Sequence, residues 1–173
     1  MSTTGLDFLF RLEAPIIHVG PGESERLPWT ASHFYSRPPL DVCVRVLRGH
    51  KMRSVPALMD EFAAAFQFFT GFGENWPALT ECLSYLDEWL PADAYVLVVE
   101  RADELLADDE ADAPALLRAL DRAGRFWSEP VIDNGRFDRP ARPFHALLMV
   151  PESNGAALQR MRTAAASIDV AFD

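Results

Sequence analysis

The sequence predicts an α/β protein in which a small, three-stranded parallel sheet is packed by helices. Three compact apolar runs, at 42–47, 94–99 and 144–150, have the length and composition of buried strands. Segments with helical periodicity separate these runs, as the crossover connections between parallel strands require. The length of 173 residues suits one domain with a hydrophobic core that needs no disulfide or metal.

The first 39 residues differ from the rest of the chain. Gly20-Pro21-Gly22 and Pro38-Pro39 interrupt regular structure, and only short apolar stretches, Phe8–Leu12 and Ile16–Val19, lie before them. We expect these stretches to form edge strands or a hairpin.

The first strand is predicted at Val42–Leu47 from its β-branched residues. A helix follows, with Ser54 as its N-cap and Pro56 in its first turn, and its apolar spacing continues to Phe69. The glycines of Thr70–Gly73 then indicate a loop, and we expect Gly73 to adopt a backbone conformation that other residues resist.

A second helix is predicted between Asn75 and Pro91. Asn75 is a suitable N-cap, and Pro77 is tolerated in the first turn. Its inward face is apolar and consists of Leu79, Cys82, Leu83, Leu86 and Leu90.

The remaining elements follow the same alternation. Ala94–Val99 is a buried strand, Pro114–Phe126 a helix, and Phe144–Val150 the third strand after a long loop. Strong helix formers predict a terminal helix at Ala156–Ala166. We therefore divide the chain into an N-terminal extension (1–39), a main domain (40–151) and a C-terminal helical extension (152–173).

The net charge of the chain limits the classes of partner that it can bind. Sixteen Lys and Arg against 26 Asp and Glu give a formal charge of −10, which argues against nucleic acid or an anionic membrane as partner. A basic protein remains a suitable partner. The chain has neither a signal-peptide pattern nor a long apolar run, and we expect a cytoplasmic protein that is monomeric when free.

No catalytic or metal-binding motif is evident. Cys-x-x-Cys, His-Glu-x-x-His and Gly-x-Ser-x-Gly are absent, and we predict no catalytic residue, metal or cofactor. Cys43 and Cys82 read as free thiols, and Cys82 as a small buried hydrophobe. His33 and His50 are expected to face solvent, whereas His145 reads as a core residue with its polar atoms satisfied.

Acidity is concentrated in one segment. Residues 74–112 hold twelve carboxylates and one cation, Arg101, so the segment carries −11 and the rest of the chain +1. One stripe of the second helix has no cation and consists of Pro77, Thr80, Glu81, Ser84 and Glu88. A rigid acidic helix beside an aromatic loop suits docking into a basic cleft.

The run Phe72-Gly73-Glu74-Asn75-Trp76-Pro77-Ala78-Leu79, followed by Glu81-Cys82-Leu83, resembles the central motif of the barstar family. These proteins are intracellular inhibitors of barnase-type ribonucleases. The order of flanking elements matches as well, so the resemblance extends over roughly residues 41–151. At family contact positions the chain carries Pro77 and Thr80, which favours a different basic nuclease, or a toxin of another kind, over barnase itself.

The resemblance implies an inhibitor, not an enzyme, that occludes the active site of a basic ribonuclease or nuclease toxin. It implies that Glu81 is the principal acidic anchor and that Phe72 and Asn75 are the loop aromatic and the asparagine that starts the helix. The predicted partner-binding residues are Phe72, Gly73, Glu74, Asn75, Pro77, Thr80, Glu81, Ser84 and Glu88.

Two alternatives remain open from the sequence. Glu81, Asp87 or Glu88 could hold Mg²⁺ or Ca²⁺ in an acidic, metal-dependent enzyme, because clustered oxygens suit these cations. The chain could also be a non-inhibitory interaction scaffold that keeps the fold and has changed its surface.

Overall fold

A single parallel sheet organises the protein. The computed structural model describes residues 7–21, 41–133, 135, 138–151 and 153–172. Within them the strands lie in the order β2-β3-β4-β1-β5, and every neighbouring pair is parallel. The strands are β1 (Ile17–Pro21), β2 (Val42–Arg48), β3 (Ala94–Glu100), β4 (Phe144–Val150) and β5 (Val170–Phe172). The predicted class is confirmed, but the sheet has five strands and not three.

Four helices connect and cover the strands. They are α1 (Val55–Phe66), α2 (Trp76–Ser84), α3 (Ala113–Ser128) and α4 (Gly155–Ala164). Short 3-10 turns lie at Asp7–Phe10, Gly49–Lys51, Leu86–Glu88 and Glu110–Asp112. The predicted helices are present, although α1 and α2 end earlier than their apolar spacing suggests.

Both ends of the chain supply strands to this sheet. β1 lies between β4 and β5, with Ile17 opposite Ala146 on one side and Val170 on the other, so it is neither an edge strand nor part of a hairpin. The segment from Phe8 forms a 3-10 turn and not a strand. Residues 22–40, which include His33 and Pro38-Pro39, lie outside the described residues. The division at residues 39 and 152 stays a prediction.

The core lies mainly between the sheet and the helices. Alternate residues of β3 point to opposite faces: Tyr95 and Leu97 join the large cluster beneath the helices, whereas Val96 and Val98 join a smaller cluster with Leu9. Because β3 is buried on both faces, its continuous apolar sequence is explained.

α1 begins where predicted, with Pro56 in its first turn, but it is capped differently and ends earlier. Ser54 occupies the N-cap position, but its side chain makes no capping hydrogen bond. The distant Asp109 carboxylate instead accepts a 2.7 Å hydrogen bond from the Val55 amide. The helix ends at Phe66, and Gln67 adopts a left-handed conformation with φ 55°. Phe69 therefore lies beyond the helix and is 60% exposed.

The remaining sequence expectations concern single residues. Cys82 is buried, Cys43 is half-buried, and both are free thiols. His145 is buried and bonded to His18 and to the Arg11 carbonyl, which confirms it as a satisfied core residue. His50 is exposed. Across the described part of the chain, every helix is too short or too polar to cross a membrane.

Candidate functional site

The loop between α1 and α2, residues 67–75, is anchored by aromatic contacts. The Phe68 and Phe72 rings lie 4.9 Å apart, and Trp89 meets Phe68 edge-on at 6.2 Å. The Trp89 indole N–H donates a 2.8 Å hydrogen bond to the Phe66 carbonyl. Phe72 is half-buried in this cluster, which leaves Phe69 as the more exposed aromatic of the loop.

A tight turn joins this loop to α2. Asn75 Oδ1 accepts a 3.0 Å hydrogen bond from the Ala78 amide, and its Nδ2 donates to the Gly73 carbonyl at 2.8 Å. The expected N-cap is thus confirmed. The left-handed residue is Glu74, with φ 47°, and not Gly73 as expected. A Cβ at Gly73 would lie 3.0 Å from Asn75 Nδ2, so a larger residue there would require the capping side chain to shift by a few tenths of an ångström.

The exposed stripe predicted on α2 is only partly formed. Pro77 and Glu81 are exposed, and Thr80 is half-buried. Ser84 is buried, and its hydroxyl donates to the Thr80 carbonyl at 2.7 Å. Ser84 therefore lacks the exposure expected of the stripe: it faces the neighbouring helix α3 with its hydroxyl already engaged. Its role as a contact residue stays a prediction.

α2 ends at Ser84, before Glu88. Hydroxyl bonds from Thr80 and Ser84 to carbonyls four residues earlier add side-chain donors to the helix ladder, a pattern that bends and weakens helices. Tyr85 follows in a non-helical conformation, and Leu86–Glu88 form a 3-10 turn. Glu88 is exposed but does not continue the α2 stripe.

Tyr85 stands at the centre of this surface and was missed by the sequence reasoning. Its ring is 43% exposed and lies 5.3 Å from the Phe126 ring of α3. It borders three concavities: the loop pocket beside residues 69–73, the helix groove between α2 and α3, and a third pocket lined by Val131 and Arg139. The sequence offered no signal for this role, because Tyr85 lies inside the helix predicted between Asn75 and Pro91.

The loop pocket is the concavity beside the predicted loop. Its volume is about 440 Å³, and both Glu81 and Glu88 line it with Tyr85. The loop residues Phe69, Phe72 and Gly73 line it as well. The structure thus brings the acidic and aromatic residues of the prediction together around one hollow.

The acidic segment separates into two groups. Asp108 and Glu104 pair with Arg53, Glu104 also pairs with Arg101, and Glu110 pairs with Arg160. These carboxylates hold the loop before α3. Within the described residues, no ion pair involves the exposed Glu74, Glu81 and Glu88. Uncompensated negative charge therefore lies around the loop and the end of α2. Asp93, Glu100 and Asp112 of the same segment also form no ion pair among the described residues.

The site carries no sign of nucleophilic or metal chemistry in the described part of the chain. Burial raises the pKa of the Cys82 thiol, and the nearby Glu81 raises it further, so the reactive thiolate is disfavoured. Glu81, Asp87 and Glu88 do not form a group of three ligands, and Asp87 pairs with Arg142 at 3.3 Å.

The fold and this surface define a small parallel α/β protein with an acidic, aromatic face built on one loop and one helix. The family model described as Barstar (barnase inhibitor) matches residues 42–148. The chain therefore belongs to the Barstar family. No match to a curated protein was found.

Proposed function

We propose that this protein inhibits a basic ribonuclease or nuclease toxin by covering its active site with the loop and the end of α2. The observation that carries the proposal is a set of three exposed carboxylates, Glu74, Glu81 and Glu88, that form no ion pair within the described residues. Glu81 and Glu88 line one pocket together with the exposed Tyr85. Family membership supports an inhibitor role. A nuclease that binds phosphates presents cations, and carboxylates can occupy the phosphate positions.

Inhibition on this surface requires no chemical step. The loop and α2 are held in place before binding, by the Asn75 cap and the Phe68–Phe72–Trp89 cluster. A preorganised surface loses little conformational entropy when it binds. The unpaired negative charge accelerates association with a basic partner, so the rate falls as salt screens it.

The proposal assigns the charged and aromatic residues different contributions. Glu81 is the central acidic contact because it lines both the loop pocket and the helix groove. Tyr85 and Phe69 supply apolar area, since exposed aromatics are frequent anchors in protein interfaces. Asn75 and Gly73 shape the loop, and the free inhibitor is a monomer in the cytoplasm.

The test is inhibition of a panel of basic ribonucleases, including any nuclease encoded beside this gene, at low and high salt. Glu81→Lys should weaken inhibition by at least about tenfold, which corresponds to about 1.4 kcal/mol of binding free energy. Asp60→Lys is the matched control, because Asp60 is an exposed carboxylate on α1 that lines none of the three concavities.

Each outcome separates the candidate functions. Stoichiometric inhibition that survives Asp60→Lys, fails in Glu81→Lys and weakens with salt supports the proposal. Partner binding without inhibition, unaffected by Glu81→Lys, would identify a scaffold on the same fold. Turnover that requires Mg²⁺ or Ca²⁺ and disappears in Glu81→Gln would identify an enzyme instead.

A further inference from the structure

The helix groove between α2 and α3 has walls of opposite charge. Its volume is about 600 Å³. Glu81 lies on the α2 wall, and Arg118 and Arg122 line the α3 wall. The two arginines are four residues apart, so they lie on the same face of α3.

These two arginines differ from seven of the other ten arginines that the structure describes; Arg11, Arg45 and Arg162 also form no ion pair there. Arg48, Arg53, Arg101, Arg125, Arg142 and Arg160 each form an ion pair. The Arg139 guanidinium donates to three carbonyls. Arg118 and Arg122 are exposed, and neither has an ion-pair partner among the described residues.

The opposite charges share the groove without neutralising each other. Glu81 is not paired with either arginine, although all three line the same hollow. Between the walls, the lining includes the small residues Ser84, Ala115 and Ala119, which leave room for a backbone segment to approach. The groove therefore presents one negative charge on its α2 wall and two positive charges on its α3 wall, with open space between them.

We infer that the bound partner inserts a segment that carries a carboxylate beside a basic side chain. The carboxylate binds Arg118 and Arg122, whose planar guanidinium groups bind carboxylates with two hydrogen bonds. The adjacent cation faces Glu81. This inference rests on the proposed function and deepens it, because a nuclease surface with cations alone would be repelled by the α3 wall.

The groove thus acts as a specificity filter beside the acidic surface. Glu74, Glu81 and Glu88 attract many basic proteins, but only a partner with correctly placed acidic and basic groups satisfies both walls. Like charges placed together across an interface are strongly unfavourable. The inhibitor should therefore distinguish between nucleases of similar net charge.

The first test measures groove chemistry without a nuclease. Three short synthetic peptides, with alternating Asp and Arg, with Arg alone or with Asp alone, are titrated into the full chain. The arginine Nε–Hε signals are followed by nuclear magnetic resonance. The mixed peptide should bind at least about tenfold tighter than the others, about 1.4 kcal/mol. Arg118→Glu combined with Arg122→Glu should remove this preference. Arg11→Glu combined with Lys51→Glu, an equal charge change at two exposed residues outside the groove, should retain it.

The second test uses the nuclease that the wild-type chain inhibits most strongly. The Arg118→Glu and Arg122→Glu double variant should weaken its inhibition by at least about tenfold more than the Arg11→Glu and Lys51→Glu double control does. Loss of inhibition in Glu81→Lys but not in the arginine variant would overturn this inference and leave the proposed function intact. If the mixed peptide binds but no nuclease is inhibited, the proposed function is overturned and the chemistry inferred for the groove is kept.

Two further results would overturn the inference. One is equal or tighter binding of the Arg-only peptide, or no binding of the mixed peptide. The other is self-association, in which the groove of one copy takes Glu81 of a second. Sedimentation would then show a dimer, and Arg122→Glu would dissociate it into monomers. The double variant Glu81→Arg with Arg122→Glu, which exchanges the two charges, would restore the dimer. If the partner is a different protein, the Glu81→Arg and Arg122→Glu double variant should bind it more weakly than Arg122→Glu alone does.

Discussion

Replacing Arg139 should loosen the loop that borders the candidate site. Its side chain is 7% exposed, and its guanidinium donates to the carbonyls of Phe126 at 2.9 Å, Glu129 at 3.0 Å and Pro140 at 3.2 Å. The same group lies over the rings of Phe126, at 4.7 Å, and Trp127, at 4.2 Å. Arg139 therefore ties the loop after α3 to the end of that helix.

The expected loss follows from these contacts. A hydrogen bond from a charged donor contributes about 1.5–3 kcal/mol, and three are lost in Arg139→Met. The cost of burying the charged guanidinium offsets part of the stability that these bonds contribute: burial lowers the pKa of Arg139 and so disfavours its charged form. The freed carbonyls also regain water when the loop opens. We therefore expect a net loss of about 2–4 kcal/mol in the free energy of unfolding.

Urea unfolding and amide hydrogen exchange measure this effect. For a chain of this length, the loss corresponds to a fall in Tm of about 4–16 °C. Exchange should accelerate first at the Val131 amide, which donates to the Arg139 carbonyl at 3.0 Å. Arg139→Lys is the control: it keeps the charge but cannot form the planar fork, so it should recover only part of the loss. An Arg139→Met protein within about 0.5 kcal/mol of wild type would refute the reasoning.

Three further predictions concern stability. Gly124→Ala should cost about 1–3 kcal/mol in urea unfolding because the new Cβ would lie 2.4 Å from Ile16 Cγ2, and unchanged stability would contradict the packing argument. Asp109→Ala should cost about 1 kcal/mol through the lost bond from the Val55 amide, and Asp109→Asn should restore part of it; equal losses would contradict the cap. Burial lowers the pKa of His145 in the folded protein, so as the pH falls this histidine is protonated in the unfolded chain before it is protonated in the folded one. The free energy of unfolding should therefore decrease below about pH 6.5. His145→Asn should flatten that dependence in unfolding curves measured across pH, and an identical slope would exclude the assignment.

The sequence predicted best where composition and local chemistry act together. The continuous apolar run of β3 and the capping asparagine of α2 need no information from distant residues. Ser54 shows the limit of this reasoning: it has the right side chain at the right position, but Asp109, far along the chain, accepts the Val55 bond. A local cap pattern cannot show which distant side chain reaches the helix.

The site differed from the prediction because the apolar spacing does not show where a helix ends. Leu86 is buried whether α2 continues or gives way to a 3-10 turn, so the spacing is the same in both cases. The early end places Tyr85 outside the helix and moves Glu88 off the predicted stripe. β5 was missed for another reason, since its three residues pair only with β1, about 150 positions earlier in the chain.

The acidic segment shows why the number of charges does not define a binding surface. Glu104 and Glu81 belong to the same acidic segment. Arg53 and Arg101 both form ion pairs with Glu104, whereas no arginine in the described structure forms one with Glu81. The difference is set by topology, because Arg53 follows β2 and the crossover brings it beside the loop after β3. Neutralised carboxylates fix the fold, whereas those without partners keep the charge that attracts another molecule. The residues to substitute first are therefore the unpaired ones, and Glu104→Gln should reduce stability more than it reduces inhibition.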